Sequence, residues 1–151
     1  MSFEQEVLID LLREVNRQIV EQVRDVLSQH ELAVTTMIIA KHIKSEPGIT
    51  ISELARRTGI AKSHISNTIK ELSQRSWVKM QTDASDHRLL RLFLTQSGTK
   101  QVELVGSAIR KRLSDLLSGL PEARTTEIIV SLQDVQNALK QAKEKRCSNN
   151  D

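Results

Sequence analysis

The chain has little of several residue types on which common kinds of site depend. It has one cysteine, Cys147, and a lone cysteine supports neither an intramolecular disulfide nor a structural zinc site. It has five glycines with no clustered pair, so no phosphate-cradling loop is present. No tyrosine, one tryptophan and two phenylalanines leave few rings on which a ligand could stack. No nucleophile with a base and no carboxylate pair is apparent, and we therefore expect a protein that is not an enzyme.

Long apolar runs are also missing. None approaches the roughly 18 residues that span a bilayer, and the acidic start MSFEQEVLID is unlike a signal or transit peptide. We therefore expect a cytoplasmic protein with no membrane partner. The four histidines are scattered at positions 30, 42, 64 and 87 without metal-ligand spacing, so we expect no metal site and no cofactor.

What the chain does contain is a pattern of two short helices between residues 50 and 75. Thr50 and Glu53 have the spacing of a capping box, which predicts a helix starting near Ile51, and Gly59 is expected to end it. A second helix should run from about residue 61 to 75. A short turn containing glycine between two helices is typical of a DNA-reading helix-turn-helix.

The second helix has two distinct faces. At about 100° per residue, Ile65, Ile69 and Leu72 fall on one side, with Ala61 close by, and should be buried. The exposed face and its flanks carry short polar and basic side chains: Lys62, Ser63, His64, Ser66, Asn67, Lys70 and Gln74. Such a face suits a helix whose N-terminal end enters the major groove. We predict base contacts from Ser63, Ser66, Asn67 and Lys70, with Asn67 as the best candidate to read an adenine.

Positive charge is concentrated around this element. Between residues 56 and 79 there are six basic residues and one acidic residue, giving +5, whereas the whole chain has a net charge of +3. This distribution is expected of a protein that neutralises phosphates with one surface. Phosphate or wing contacts are predicted for Lys62, His64, Arg75 and Arg88.

A β-hairpin is predicted directly after the second helix. Apolar and polar residues alternate over residues 77–81, and residues 88–94 are rich in Leu and Phe. The loop TDASDH lies between these two segments. A hairpin in this position is a wing, whose tip reaches the minor groove or the DNA backbone. For residues 51–75, the alternative interpretation is a pair of helices that simply packs into a core.

The order of these segments resembles the MarR family of winged-helix transcriptional regulators along essentially the whole chain. The most specific part is DASDHRLLRLFLTQSG, which matches the family pattern at Asp83, Asp86, Arg88, Leu94, Thr95 and Gly98. Asp86, His87 and Arg88 are accordingly assigned to the DNA-binding wing. The chain departs from the family at Ser85 and His87, where basic residues are usual, so the wing tip has less fixed positive charge. His87 could add charge at low pH, or it could be an exposed histidine without a switching role.

Long amphipathic stripes flank the winged helix. They comprise Leu8, Leu12, Val15, Ile19, Val23 and Val26; then Val102, Val105, Ile109, Leu113 and Leu116; then, after Pro121, Ile128, Leu132, Val135 and Leu139. A further buried helix with Met37, Ile38, Ile39 and Ile43 should end at Glu46-Pro47-Gly48. One protomer cannot bury all of this apolar surface, and the natural partner is a second copy.

The predicted fold is mainly α (α+β): a winged helix-turn-helix with a small β-hairpin wing, flanked by N- and C-terminal dimerisation helices. Within a single MarR-like domain of residues 1–151, residues 33–95 form the DNA-binding part, and residues 1–30 and 96–145 form the dimerisation helices. The resemblance implies a homodimer on double-stranded DNA, most often a repressor on an inverted-repeat operator, with a small-molecule effector. A winged-helix protein-interaction module without DNA binding is the alternative function.

Overall fold

A computed structural model describes the backbone of residues 1–148 and the side chains of residues 1–145. The Cys147 side chain, which figured in the sequence analysis, lies outside the described residues. The elements are α1 (Phe3–Gln29), α2 (Val34–Ser45), α3 (Ile51–Thr58), α4 (Lys62–Gln74), β1 (Val78–Thr82), β2 (Leu90–Leu94), α5 (Gln96–Leu117) and α6 (Glu122–Ser148). This order confirms the predicted mainly helical fold with a small hairpin. Across the described residues, no helix is long and apolar enough to span a membrane.

The chain divides into two compact units, Met1–Leu113 and Ser114–Asp151. The first unit holds the helix-turn-helix, the hairpin and most of α5. The hydrophobic core of this unit is built from α1 through α5, and its fully buried large side chains are Leu27, Ile39, Ile43, Ile49, Leu54, Ile65, Ile69, Leu72, Leu92 and Val105. The second unit contains the end of α5 and the helix α6.

Local sequence signals set the bounds of α3 as predicted. The Thr50 hydroxyl accepts a hydrogen bond from the Glu53 backbone N–H at 3.3 Å, and the Glu53 carboxylate accepts one from the Thr50 N–H at 3.0 Å. This capping box satisfies two of the donors that a helix start leaves without partners. Gly59 ends the helix with a φ of +71°, in the left-handed region that glycine adopts at low cost.

The buried face of α4 also agrees with the prediction, because Ile65, Ile69 and Leu72 are almost fully buried. Two residues differ from expectation. Ala61 is exposed as the N-cap residue rather than packed with that face, and Ile38 on α2 is 37% exposed. The unbroken apolar run around Ile38 predicts burial, yet a helix in such a run still turns some positions toward solvent.

The hairpin is antiparallel, with pairs running from Val78↔Leu94 to Thr82↔Leu90. Its second strand begins at Leu90, two residues later than predicted. The loop is longer because the Arg88 backbone N–H donates to the Asp86 carboxylate at 3.0 Å, and the Leu89 N–H donates to the Asp86 carbonyl at 3.0 Å. These bonds fold the backbone into a turn where the sequence pattern favoured an extended strand.

Candidate nucleic-acid interface

The N-terminal half of α4 presents a polar surface to solvent. Of the six α4 residues predicted to contact bases or phosphates, five are exposed and Ser66 is half-buried; the exposed five are Lys62, Ser63, His64, Asn67 and Lys70. No acidic residue occupies the first turn. Since the other face of the helix is packed into the core, α4 is held by its apolar side and its polar side is free to meet a partner.

Ala61 makes the start of α4 different from that of α3. It provides no side-chain acceptor for the first backbone N–H groups of the helix. Those donors and the positive end of the helix dipole favour a nearby anion. Together with Lys62, this makes the helix start electrostatically suitable for a phosphate group.

Arg75 caps the C-terminal end of α4 and lies apart from the polar surface at the N-terminal end. Its Nη2 donates to the Glu31 carbonyl at 2.9 Å and pairs with the Glu71 carboxylate at 3.2 Å. The guanidinium also lies over the ring of Trp77, 5.8 Å from its centroid. Arg75 would have to leave these contacts to reach a phosphate, so the structure favours a packing role at the end of the helix.

The wing loop is organised by Asp83. Its Oδ2 accepts hydrogen bonds from the Ser85 hydroxyl at 2.7 Å, the Ser85 N–H at 3.1 Å and the Asp86 N–H at 2.9 Å. The Ser85 hydroxyl, and then Arg91, hold the pKa of the Asp83 carboxyl well below its usual range by favouring the charged form. Ser85 thus helps to fix the loop by donating to Asp83, and it adds no positive charge there.

Three wing residues that were predicted to contact DNA lie on this loop. The Arg88 side chain is 93% exposed and has one described contact, a weak one from Nε to Asp86 Oδ1 at 3.4 Å. Asp86 mainly accepts hydrogen bonds that shape the loop, and His87 is exposed. Arg88 is therefore the wing cation best placed to reach a partner.

Arg91 was not among the residues predicted from the sequence. Its Nε donates to Asp83 Oδ1 at 2.9 Å, and its Nη1 donates to the Gly48 carbonyl at 3.1 Å. One signal for it was available, because Arg91 is the only charged residue in the apolar strand LRLFL, and a charge in such a strand needs a partner. The partner at Gly48 could not be found from local sequence, since it is 43 positions away.

A helix-turn-helix with an exposed polar reading face, followed directly by a hairpin with an exposed arginine, defines the class of winged-helix proteins. Residues 30–89 match the model of the MarR family. This match confirms, over residues 30–89, the resemblance to the MarR family that was inferred from the sequence.

Individual known proteins are similar over much of the chain. The uncharacterized HTH-type transcriptional regulator YwaE of Bacillus subtilis is 26% identical over 114 residues, which cover 76% of this chain and 67% of that protein. A MarR family protein from Bacillus stearothermophilus has the same fold, with a TM-score of 0.80, 17% identity, and coverage of 93% of this chain and 99% of that one.

A third similar protein was solved with DNA. A mutant of MarR from E. coli, complexed with operator DNA, has a TM-score of 0.68 and 18% identity, covering 89% of this chain and 99% of that one. The curated relatives are transcription regulators rather than enzymes, which confirms the expectation drawn from the absence of a catalytic constellation.

Proposed function

We propose that this protein is a sequence-specific regulator that binds double-stranded DNA as a homodimer and represses transcription by blocking access to promoters. The observation that carries the proposal is the acid-free, exposed polar face on the N-terminal half of α4, with its opposite face buried. Ser63, Ser66, Asn67 and Lys70 read base edges in the major groove. Lys62, His64 and Arg88 contact phosphates or the minor groove. The operator-bound MarR mutant of the same fold supports this mode of binding.

The dimer follows from apolar surface that the first unit leaves in solvent. Five large apolar side chains of α1 are 41–58% exposed: Val7, Leu8, Leu11, Val15 and Ile19. A stripe of this length is costly in water and is relieved by a second copy. Two-fold symmetry places the two α4 helices in successive major grooves about 34 Å apart, so the operator is an inverted repeat with half-sites one helical turn apart. A protein that binds DNA in this way is consistent with a cytoplasmic location, which we include in the proposal.

A groove between α2 and α5 is the candidate site for an effector. It has a volume of about 340 Å³ and is lined by Lys41, Lys44, Ser45, Val102, Glu103, Gly106 and Arg110. Lys44 pairs with Glu103 at 3.0 Å, whereas Lys41 and Arg110 make no described ion pair. The excess of cations favours a small acid, and no aromatic residue lines the groove for stacking. Binding there releases the operator by changing the spacing of the two α4 helices.

A gel-shift titration against bulk duplex DNA over a salt series tests DNA binding directly. Each phosphate contact contributes a slope of about −0.9 in log affinity against log salt concentration. We expect a steep slope in the wild type, and a smaller one by about one in Arg88→Ala. A winged-helix protein-interaction module, the alternative function, would show no such slope.

The effector is tested by thermal-shift measurement against small carboxylates. A ligand that binds only the folded protein raises its melting temperature. The double variant Lys41→Ala/Arg110→Ala should lose that response while retaining DNA binding. An undiminished response in this variant would remove the groove from the proposal.

A further inference from the structure

Arg91 connects the wing to the segment that precedes the helix-turn-helix. Its Nε donates to Asp83 in the wing loop at 2.9 Å, and its Nη1 donates to the carbonyl of Gly48, between α2 and α3, at 3.1 Å. We call these three groups the wing brace: the Asp83 carboxylate, the Arg91 guanidinium and the Gly48 carbonyl. A guanidinium suits this task because its donors point in fixed directions.

One end of the wing brace is the loop itself. Asp83 uses Oδ1 for Arg91 and Oδ2 for the loop donors of Ser85 and Asp86. Its side chain is 15% exposed, much less than that of Arg88 at 93%. The same carboxylate therefore shapes the loop and attaches it to Arg91.

The other end of the wing brace is fixed to the start of the helix-turn-helix. The Gly48 N–H donates to the Leu92 carbonyl at 2.8 Å, and the Leu92 N–H donates to the Ile49 carbonyl at 3.0 Å. Ile49 is almost fully buried, and the next residue, Thr50, caps α3. The Gly48 carbonyl thus has a defined position relative to the start of the helix-turn-helix.

We propose that Arg91 is a positioning residue: through the wing brace it holds the wing loop in place against the helix-turn-helix, so that Arg88 is presented to DNA. Arg88 has no described contact outside the wing, and its position depends on the loop that carries it. Arg91 directs its own donors inward, to Asp83 and Gly48, rather than to a partner. The inference rests on the proposed DNA binding and adds the contacts that hold the wing in position for it.

A double-mutant cycle on DNA affinity tests the coupling between Arg91 and Arg88. Arg91→Gln removes the charged guanidinium, while Asp83 can still accept its hydrogen bonds from Ser85 and Asp86. We expect Arg88→Ala to weaken binding about tenfold in the wild type, as for one charge-assisted contact, and less than about twofold in the Arg91→Gln background. Arg124→Gln on α6, whose side chain pairs with Glu127, removes the same charge and serves as the control.

Additive effects in the cycle would overturn the inference, because they would mean that Arg91 contributes charge independently of Arg88. A smaller salt slope in Arg91→Gln with an unchanged effect of Arg88→Ala would indicate a direct phosphate contact and would overturn it as well. Failure of the wild type to bind any duplex would instead overturn the proposed function.

Amide hydrogen exchange on the DNA-free protein provides a second readout that does not depend on DNA binding. In Arg91→Gln, the amides of Ser85, Asp86 and Leu89 should exchange about fivefold to tenfold faster, since their bonds lie in the loop that loses its attachment. The buried amides of α4 should keep their protection, which also shows that the variant is folded. Unchanged exchange in the wing loop would overturn the inference even where DNA binding is normal.

Discussion

Gly98 allows α5 to begin directly against the backbone of Trp77. A Cβ atom on Gly98 would lie 2.2 Å from the Trp77 carbonyl oxygen and 2.8 Å from its carbonyl carbon. Thr95 fixes this approach, because its N–H donates to the Trp77 carbonyl at 2.8 Å and its Oγ1 accepts from the Gly98 N–H at 2.9 Å. The clash is with backbone, so no side-chain rotation relieves it. We therefore predict that Gly98→Ala is destabilising, although alanine is the better helix former.

The magnitude follows from two opposing effects. Replacing glycine by alanine inside a helix normally stabilises the helix by up to about 1 kcal/mol. Moving α5 away by about 1 Å to restore ordinary contact has the cost of overpacking, about 1–3 kcal/mol, and strains the Thr95 hydrogen bonds, which contribute about 1 kcal/mol each. We expect a net loss of about 2–4 kcal/mol in the free energy of unfolding. The melting temperature should fall by about 5–15 °C.

Urea and thermal unfolding measure this loss, at one fixed protein concentration because the proposed dimerisation would add to the apparent stability. Gly106→Ala in the same helix is the matched control. Its Cβ would meet only the far end of the Arg110 side chain at 3.4 Å, so it should be neutral or up to about 1 kcal/mol more stable. A Gly98→Ala variant as stable as Gly106→Ala would refute the reasoning.

Three further predictions concern the helix-turn-helix and the wing. Asn67→Ala should remove about 1–3 kcal/mol of discrimination at one base position while binding to bulk DNA is kept; unchanged preference among half-site variants would show that Asn67 does not read a base. Thr50→Ala should lower the unfolding free energy by about 1 kcal/mol through loss of the α3 cap, against a few tenths for the exposed neighbour Ser52→Ala. Since the pKa of Asp83 is lowered in the fold, its stabilisation is full above its unfolded pKa of about 3.9 and is lost as the pH falls toward the folded value. The stability difference between wild type and Asp83→Asn should accordingly shrink below about pH 4, and a difference that is constant with pH would contradict this assignment.

The features that the sequence predicted well are those set by residues close together in the chain. Thr50 and Glu53 lie one helical turn apart, Gly59 supplies its own left-handed conformation, and the buried side of α4 follows from its helical period. Each depends on a local backbone preference or on a repeat of apolar positions. The winged-helix family pattern could be recognised for the same reason.

The wing was harder to predict because its loop is held by side chains. The pattern RLLRLFL favours an extended strand from position 88, but the carboxylates of Asp83 and Asp86 accept backbone N–H groups and turn the chain until Leu90. The link from Arg91 to Gly48 joins residues 43 apart. No local rule indicates which distant carbonyl an arginine will reach.

Contacts between residues that are distant in the sequence also explain why the basic residues near α4 need not all be available to a partner. Arg75 and Arg88 look alike in the sequence, since each adds positive charge beside the helix-turn-helix. In the fold, the Arg75 guanidinium meets a carbonyl at Glu31, the carboxylate of Glu71 and the ring of Trp77, whereas Arg88 extends into solvent from the wing. Arg75 would give up these hydrogen bonds in exchange for a phosphate, so the net gain is small. The positive charge that the sequence concentrates in this region therefore divides into a part that is bound within the fold, at Arg75, and a part that stays exposed, at Arg88.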